Sequence, residues 1–119
     1  MTNISEMTDE QLNEACAIEV MEWHKIGCKF YDENNEFQFN DTECKTSWYE
    51  RWNPTRDLNH AWMLAEKTLG DNWWKIEINA KHDGVAIVYG VIINGTALWK
   101  YSNLARAISE ACLIAKRNK

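Results

Sequence analysis

The chain has 119 residues, of which 45% are apolar and 26% charged, which fits one globular domain and leaves too little chain for two. Its formal net charge of −5 argues against nonspecific nucleic-acid binding, which rests on neutralisation of phosphates by Lys and Arg. No apolar run reaches the length of a membrane span. The opening residues show neither the basic start nor the apolar stretch of a secretory signal, so a cytoplasmic setting is expected, with Cys16, Cys28, Cys44 and Cys112 reduced. The departure from ordinary usage is tryptophan, with seven residues. Each buries a large area and needs a partner for its indole N–H when enclosed.

Residues 1–7 read as a flexible lead-in. Thr8-Asp9-Glu10-Gln11 has the form of a capping box. Leu12, Ala15, Cys16, Val20 and Trp23 then recur at helical spacing, with Gly27 as the expected stop. Cys28–Tyr31 and Glu36–Asn40 form an expected β-hairpin around the turn residues Asp32-Glu33-Asn34-Asn35. Asp41 to Lys45 reads as loop. Pro54 restricts the residue before it and closes off any preceding helix. Thr55 or Asp57 is the expected cap of a second helix, whose inner face is Leu58, Ala61, Trp62, Ala65 and Leu69 and whose stop is Gly70. Trp74, Ile76, Ile78 and Ala80 alternate with polar residues as a strand should. His82-Asp83-Gly84 and Asn94-Gly95 are turn signals, so Val85–Ile93 and Ala97–Tyr101 complete an antiparallel meander with the middle strand central. Ser102 or Asn103 caps a last helix with Leu104, Ile108, Ala111, Cys112 and Ala115 inside. From Met1 to Glu22 there are six acids and no base, and from Tyr101 to Lys119 four bases and one acid. Opposite signs on the terminal helices favour their packing together by a modest, salt-screened amount. The pattern as a whole predicts a single α+β domain over residues 1–119. It has an antiparallel sheet of three or slightly more strands and three helices in an αβα sandwich-like arrangement.

Several stretches together resemble the phage ABA sandwich domain, a family of small phage and prophage proteins. They are Leu12-Asn13 and Val20-Met21-Glu22-Trp23 in the first helix, then Trp52-Asn53-Pro54, Asp57, Ala61-Trp62 and Glu66-Lys67. Ala105-Arg106-Ala107-Ile108, Ala111 and Leu113 follow in the last helix. Residues 28–47 fall outside the resemblance and read as an insert. The family usually has Gly where this chain has Glu22, and a Thr-Pro type of approach to the last helix where it has Tyr101-Ser102. The resemblance implies an αβα arrangement, a phage or prophage origin and a place in the host cytoplasm. It assigns no catalytic residue.

His24 and Cys28 are four apart, but structural zinc sites pair short spacings twice, so no metal site is expected. Cys28 or Cys44 with His24, His60 or His82 lacks the strand-to-helix setting of a nucleophile, so no enzyme activity and no cofactor are expected. The remaining feature is Trp48, Tyr49, Arg51, Trp52, Arg56, Asp57, Trp62 and Glu66. Aromatic faces beside arginines can stack a ring and hold an anion, which makes Trp48, Arg51, Trp52, Arg56, Trp62 and Glu66 the candidate ligand-binding residues. The competing reading packs Trp52 and Trp62 onto the second helix with Asp57 as its cap. The functional expectation is a phage accessory protein that binds a host protein or a small nucleotide-like ligand without covalent chemistry. The alternative is a structural or self-associating domain that forms a homodimer.

Overall fold

The computed structural model describes residues 3–41, 51–70, 76–82, 84–85, 87–93, 96–101 and 103–118. The fold is α+β, with three helices and two antiparallel three-stranded sheets among the described residues. Helix α1 (Asp9–Ala15) opens with the capping box: Thr8 Oγ1 accepts from the Gln11 N–H at 3.1 Å, and Gln11 Oε1 accepts from the Thr8 N–H at 3.0 Å. Residues expected to form a lead-in carry a short 3-10 turn at Ile4–Glu6, and Ile4 and Met7 pack against the core.

The first helix ends earlier than its periodicity predicts. It widens into a π turn at Cys16–Val20, the Met21 N–H reaches the Cys16 carbonyl at 3.0 Å, and the Trp23 N–H returns to the Ala17 carbonyl at 3.0 Å. Glu22 lies between them at φ 62°, the left-handed position that closes a helix and that glycine fills best. Gly27, the expected stop, is instead at φ 63° in the turn between β1 (His24–Ile26) and β2 (Lys29–Tyr31). Trp23 keeps its helical spacing but reaches the core from extended chain.

Strand β3 (Phe37–Asn40) pairs with β2 across the expected turn, where Asp32 Oδ1 accepts from the N–H groups of Asn34 at 2.8 Å and Glu36 at 2.9 Å. Lys25 on β1 ties this sheet to α1 through Glu14 at 3.1 Å and to Asp41 at 2.6 Å. Helix α2 (Leu58–Leu69) is capped by Asp57 and ends at Gly70, φ 57°. The second sheet is the expected meander of β4 (Ile76–His82), β5 (Ile87–Ile93) and β6 (Thr96–Tyr101), in the order β4-β5-β6. Trp73, Trp74, Asp83 and the Asn94-Gly95 turn lie outside the described residues, as do the Asp41–Lys45 loop beyond Asp41 and Ser102.

Helix α3 (Leu104–Arg117), capped by Asn103, lies at the centre. It packs on β5 and β6 and also on α1, the π turn and α2. It is buried without a break from Ala107 to Leu113, and the small side chains of Ala105, Ala107, Ser109 and Ala111 let its neighbours approach closely. The charge asymmetry of the termini appears as ion pairs onto this helix. Arg106 meets Asp9 at 2.6 Å and Glu110 at 2.9 Å, Arg117 meets Glu19 at 2.8 Å, and Lys116 meets Glu22 at 3.4 Å.

Glu22→Gly is expected to stabilise the fold by about 1 kcal/mol, because an L side chain pays that order of penalty in the left-handed region. The ion pairs of Glu22 with Lys67 at 3.8 Å and Lys116 at 3.4 Å are exposed and screened by salt, so denaturant unfolding at high ionic strength isolates the gain.

Candidate functional site

The approach to α2 is organised by polar groups that have been removed from water. Trp52 is 1% exposed; its indole Nε1 donates to the Asn13 backbone carbonyl at 2.8 Å. The Asn13 side chain, on α1, donates to Asn53 Oδ1 at 3.1 Å and accepts from the Thr55 N–H at 3.1 Å. Ser109 Oγ on α3 lies 3.0 Å from the Pro54 carbonyl. The Trp52-Asn53-Pro54-Thr55 segment is thereby clasped between α1 and α3, and Asp57 then accepts from the N–H groups of Asn59 at 2.9 Å and His60 at 3.4 Å to start α2.

Three aromatic rings pack against Trp52. His60 stacks on it at 5.3 Å and 15°, Trp23 meets it edge-on at 4.8 Å, and Phe39 lies 5.4 Å away. Phe30 joins through Trp23 at 6.5 Å. The expected insert therefore supplies two rings, Phe30 and Phe39, to the aromatic cluster beneath α2.

The candidate ligand residues do not converge. Trp52 belongs to the core. Arg56 is exposed, with its Nε 3.2 Å from Asp9 Oδ2. Arg51 is half-buried and bridges Asn40 through the backbone. Trp62 and Glu66 face outward from α2, and Trp48 and Tyr49 lie outside the described residues. Asp57 occupies the helix cap, so no anion is expected there. The second helix is also rolled relative to its expected face. His60, Ala61, Leu64, Ala65 and Leu69 are buried, while Leu58 is 50% and Trp62 41% exposed. Leu58 and Trp62, one turn apart, thus form an apolar pair on the surface. Sequence reasoning missed Leu58 because its spacing alone assigned it to the core.

Two shallow clefts of about 210 Å³ each flank this region. One is lined by Met21, Glu22, Trp23, Asp32, Glu33 and Lys67, the other by Asp9, Glu10, Asn13, Asn53 and Arg56. Both fall below the roughly 300–1,000 Å³ of typical small-molecule pockets. Among the described residues no group of three or more His, Cys, Asp or Glu could hold a metal ion.

The thiols and imidazoles have structural settings. Burial pushes the Cys16 thiol well above its ordinary value and that of Cys112 up to about 12. Cys28 is disulfide-bonded, which corrects the expectation of four reduced thiols; Cys16 and Cys112 are free. His82 Nδ1 accepts from the Gly84 N–H at 3.1 Å, and His60 Nδ1 from the Asn53 N–H at 3.0 Å. Burial lowers the His60 pKa, and Asp57, 3.7 Å from Nε2, opposes that shift without cancelling it. No protein family, curated protein or solved structure matches this chain.

Asn13→Ala leaves the buried Thr55 N–H without its acceptor and is expected to cost about 2 kcal/mol, read by denaturant unfolding. The depressed pKa of His60 means that the unfolded chain binds the proton more readily. Its contribution to stability is therefore complete above the ordinary value of 6.5 and lost as pH falls through the lower folded value. A His60→Gln variant should show a flatter fall in melting temperature than the parent chain as pH drops from 6.5 toward that lower value.

Proposed function

We propose that this chain is a small phage or prophage accessory protein that acts by binding a partner protein through the outer face of α2. The observation that carries the reading is the exposed pair Leu58 and Trp62, 50% and 41% exposed, on a helix whose opposite side is locked into the core. Exposed tryptophan on a rigid element is the type of residue that dominates protein interfaces, and a helix fixed by the Asn13 clasp presents it without an ordering cost. Glu66, one further turn along the same face, supplies a polar rim. The resemblance to phage ABA sandwich proteins supports the setting.

A protein partner is favoured over a small nucleotide because the Trp52 ring is buried and stacked on His60, and the Arg56 guanidinium lies against Asp9. The clefts beside them are also small. No catalytic step is assigned, since the reactive side chains described above serve as acceptors, as buried thiols or in a disulfide.

The test is affinity capture from host lysate with the parent chain and with Trp62→Ala, followed by binding measurements on whatever is retained. Truncating a central tryptophan is expected to cost about 2 kcal/mol of binding or more, while an Asn34→Ala control on the far hairpin binds as the parent does. Capture indifferent to Trp62→Ala would reject the α2 face. A rise in melting temperature with any nucleotide or cyclic nucleotide would reject the preference for a protein.

A further inference from the structure

His60 stands where the clasped segment meets the first turn of α2, and its imidazole is almost enclosed. The ring stacks on Trp52 at 5.3 Å and lies 4.6 Å from Phe39. Nδ1 accepts from the Asn53 N–H at 3.0 Å, and Nε2 lies 3.7 Å from Asp57 Oδ2. The residues packed on it from β3 and from the clasped segment are Phe39, Trp52 and Asn53, which carry no charge. Among the described residues Asp57 is the one charged group that acts on the ring.

We propose that His60 is an acid-sensitive latch with two positions: neutral, it ties the Asn53 N–H to α2, and protonated, it pairs with Asp57 and lets the first turn of α2 part from the clasped segment. Nδ1 accepts only while it carries no proton, so protonation sets one N–H against another and the Asn53 bond is lost. The charged ring has partners of its own. Asp57 caps α2 with Oδ1, through the N–H groups of Asn59 and His60, and presents Oδ2 to Nε2. It can therefore receive the imidazolium without giving up the cap. The stacked Trp52 ring also attracts a cation. The clasped segment keeps its other ties, because none of them titrates in this range. Trp52 Nε1 and the Thr55 N–H end on Asn13, and Ser109 Oγ lies against the Pro54 carbonyl. The segment stays on α1 and α3, and the side that yields is α2. Burial favours the neutral position and Asp57 the charged one, with burial the larger, so the latch opens at a pH below the ordinary imidazole value of 6.5. The first turn of α2 carries Leu58, so opening alters the outer face assigned to a partner; that consequence alone rests on the partner-binding reading, and the latch does not.

The experiment is amide hydrogen exchange by NMR on the full chain, from neutral into the acid range, read together with the titration of the His60 ring. The Thr55 N–H, two residues from Asn53 and held by Asn13 Oδ1, is the internal control. Once the ring has titrated, the Asn53 N–H is expected to exchange within about tenfold of the unfolded-chain rate, while Thr55 and the α3 amides of Ile108 and Leu113 stay slower than that rate by about a hundredfold or more. His60→Gln, whose amide oxygen accepts but does not titrate, should keep Asn53 protected over the same range. Asp57→Asn retains a capping side chain but not the carboxylate, and should move the opening to lower pH. Loss of Thr55 protection together with that of Asn53 overturns the latch, as does an Asn53 N–H still protected after the His60 ring has titrated. So does the same acid loss in His60→Gln, or an opening unmoved by Asp57→Asn. If His60→Gln does not fold, the comparison of Asn53 with Thr55 in the parent decides alone.

Discussion

The segment that leads into α2 is held on α3 by Ser109 and on α1 by Asn13. The Asn13 backbone carbonyl receives the Trp52 indole and its side chain bridges Asn53 and Thr55. Asn13, Trp52 and Thr55 are buried, so their polar groups cannot fall back on water, and each loses a full hydrogen bond if the segment shifts. With Trp52-Asn53-Pro54-Thr55 fixed, Asp57 is placed to start α2 and His60 is placed to stack on Trp52. The His60 imidazole then serves as an acceptor, and this fits its preference for the neutral form: protonation would give Nδ1 a hydrogen that faces the Asn53 N–H.

The second constraint runs from the N-terminal segment to α3. Arg106 is enclosed by Asp9, Glu110 and the Met7 carbonyl, with its Nη2 2.6 Å from the last. Breaking such a half-buried network strands its charges, so its value is specificity of docking more than net stability. The outer pairs, Glu19 with Arg117 and Glu22 with Lys116, are more exposed and weaker. Glu22 adopts a backbone conformation that glycine fills best, at φ 62°. Its carboxylate reaches lysines in the last turns of both α2 and α3, a contact that glycine could not make.

What could be read from the sequence was local. The Thr8 capping box, the Asp57 and Asn103 caps, Gly70 and the Asp32 turn each depend on residues a few positions apart, and all appear as expected. The end of the first helix was not legible, because Trp23 satisfies a helical period and is nevertheless placed by rings from Phe30, Phe39 and Trp52. The Asn13 clasp spans about forty residues, and nothing in the spacing of an asparagine announces its partners. For the site, the same aromatic motif supported a core and a pocket. The structure separates its members: Trp52 is buried and Trp62 exposed, because Leu64 draws the buried stripe of α2 away from Leu58 and Trp62. Alternation identified β4 as a strand. It did not show that the helices stop short of it, since coverage is set by where α3 lies.

The two exposed surfaces follow from this packing. α3 takes the central place, so its own surface is consumed; α2 keeps an outer face, and β4, beyond the reach of the core after Ile76, keeps both faces and an edge.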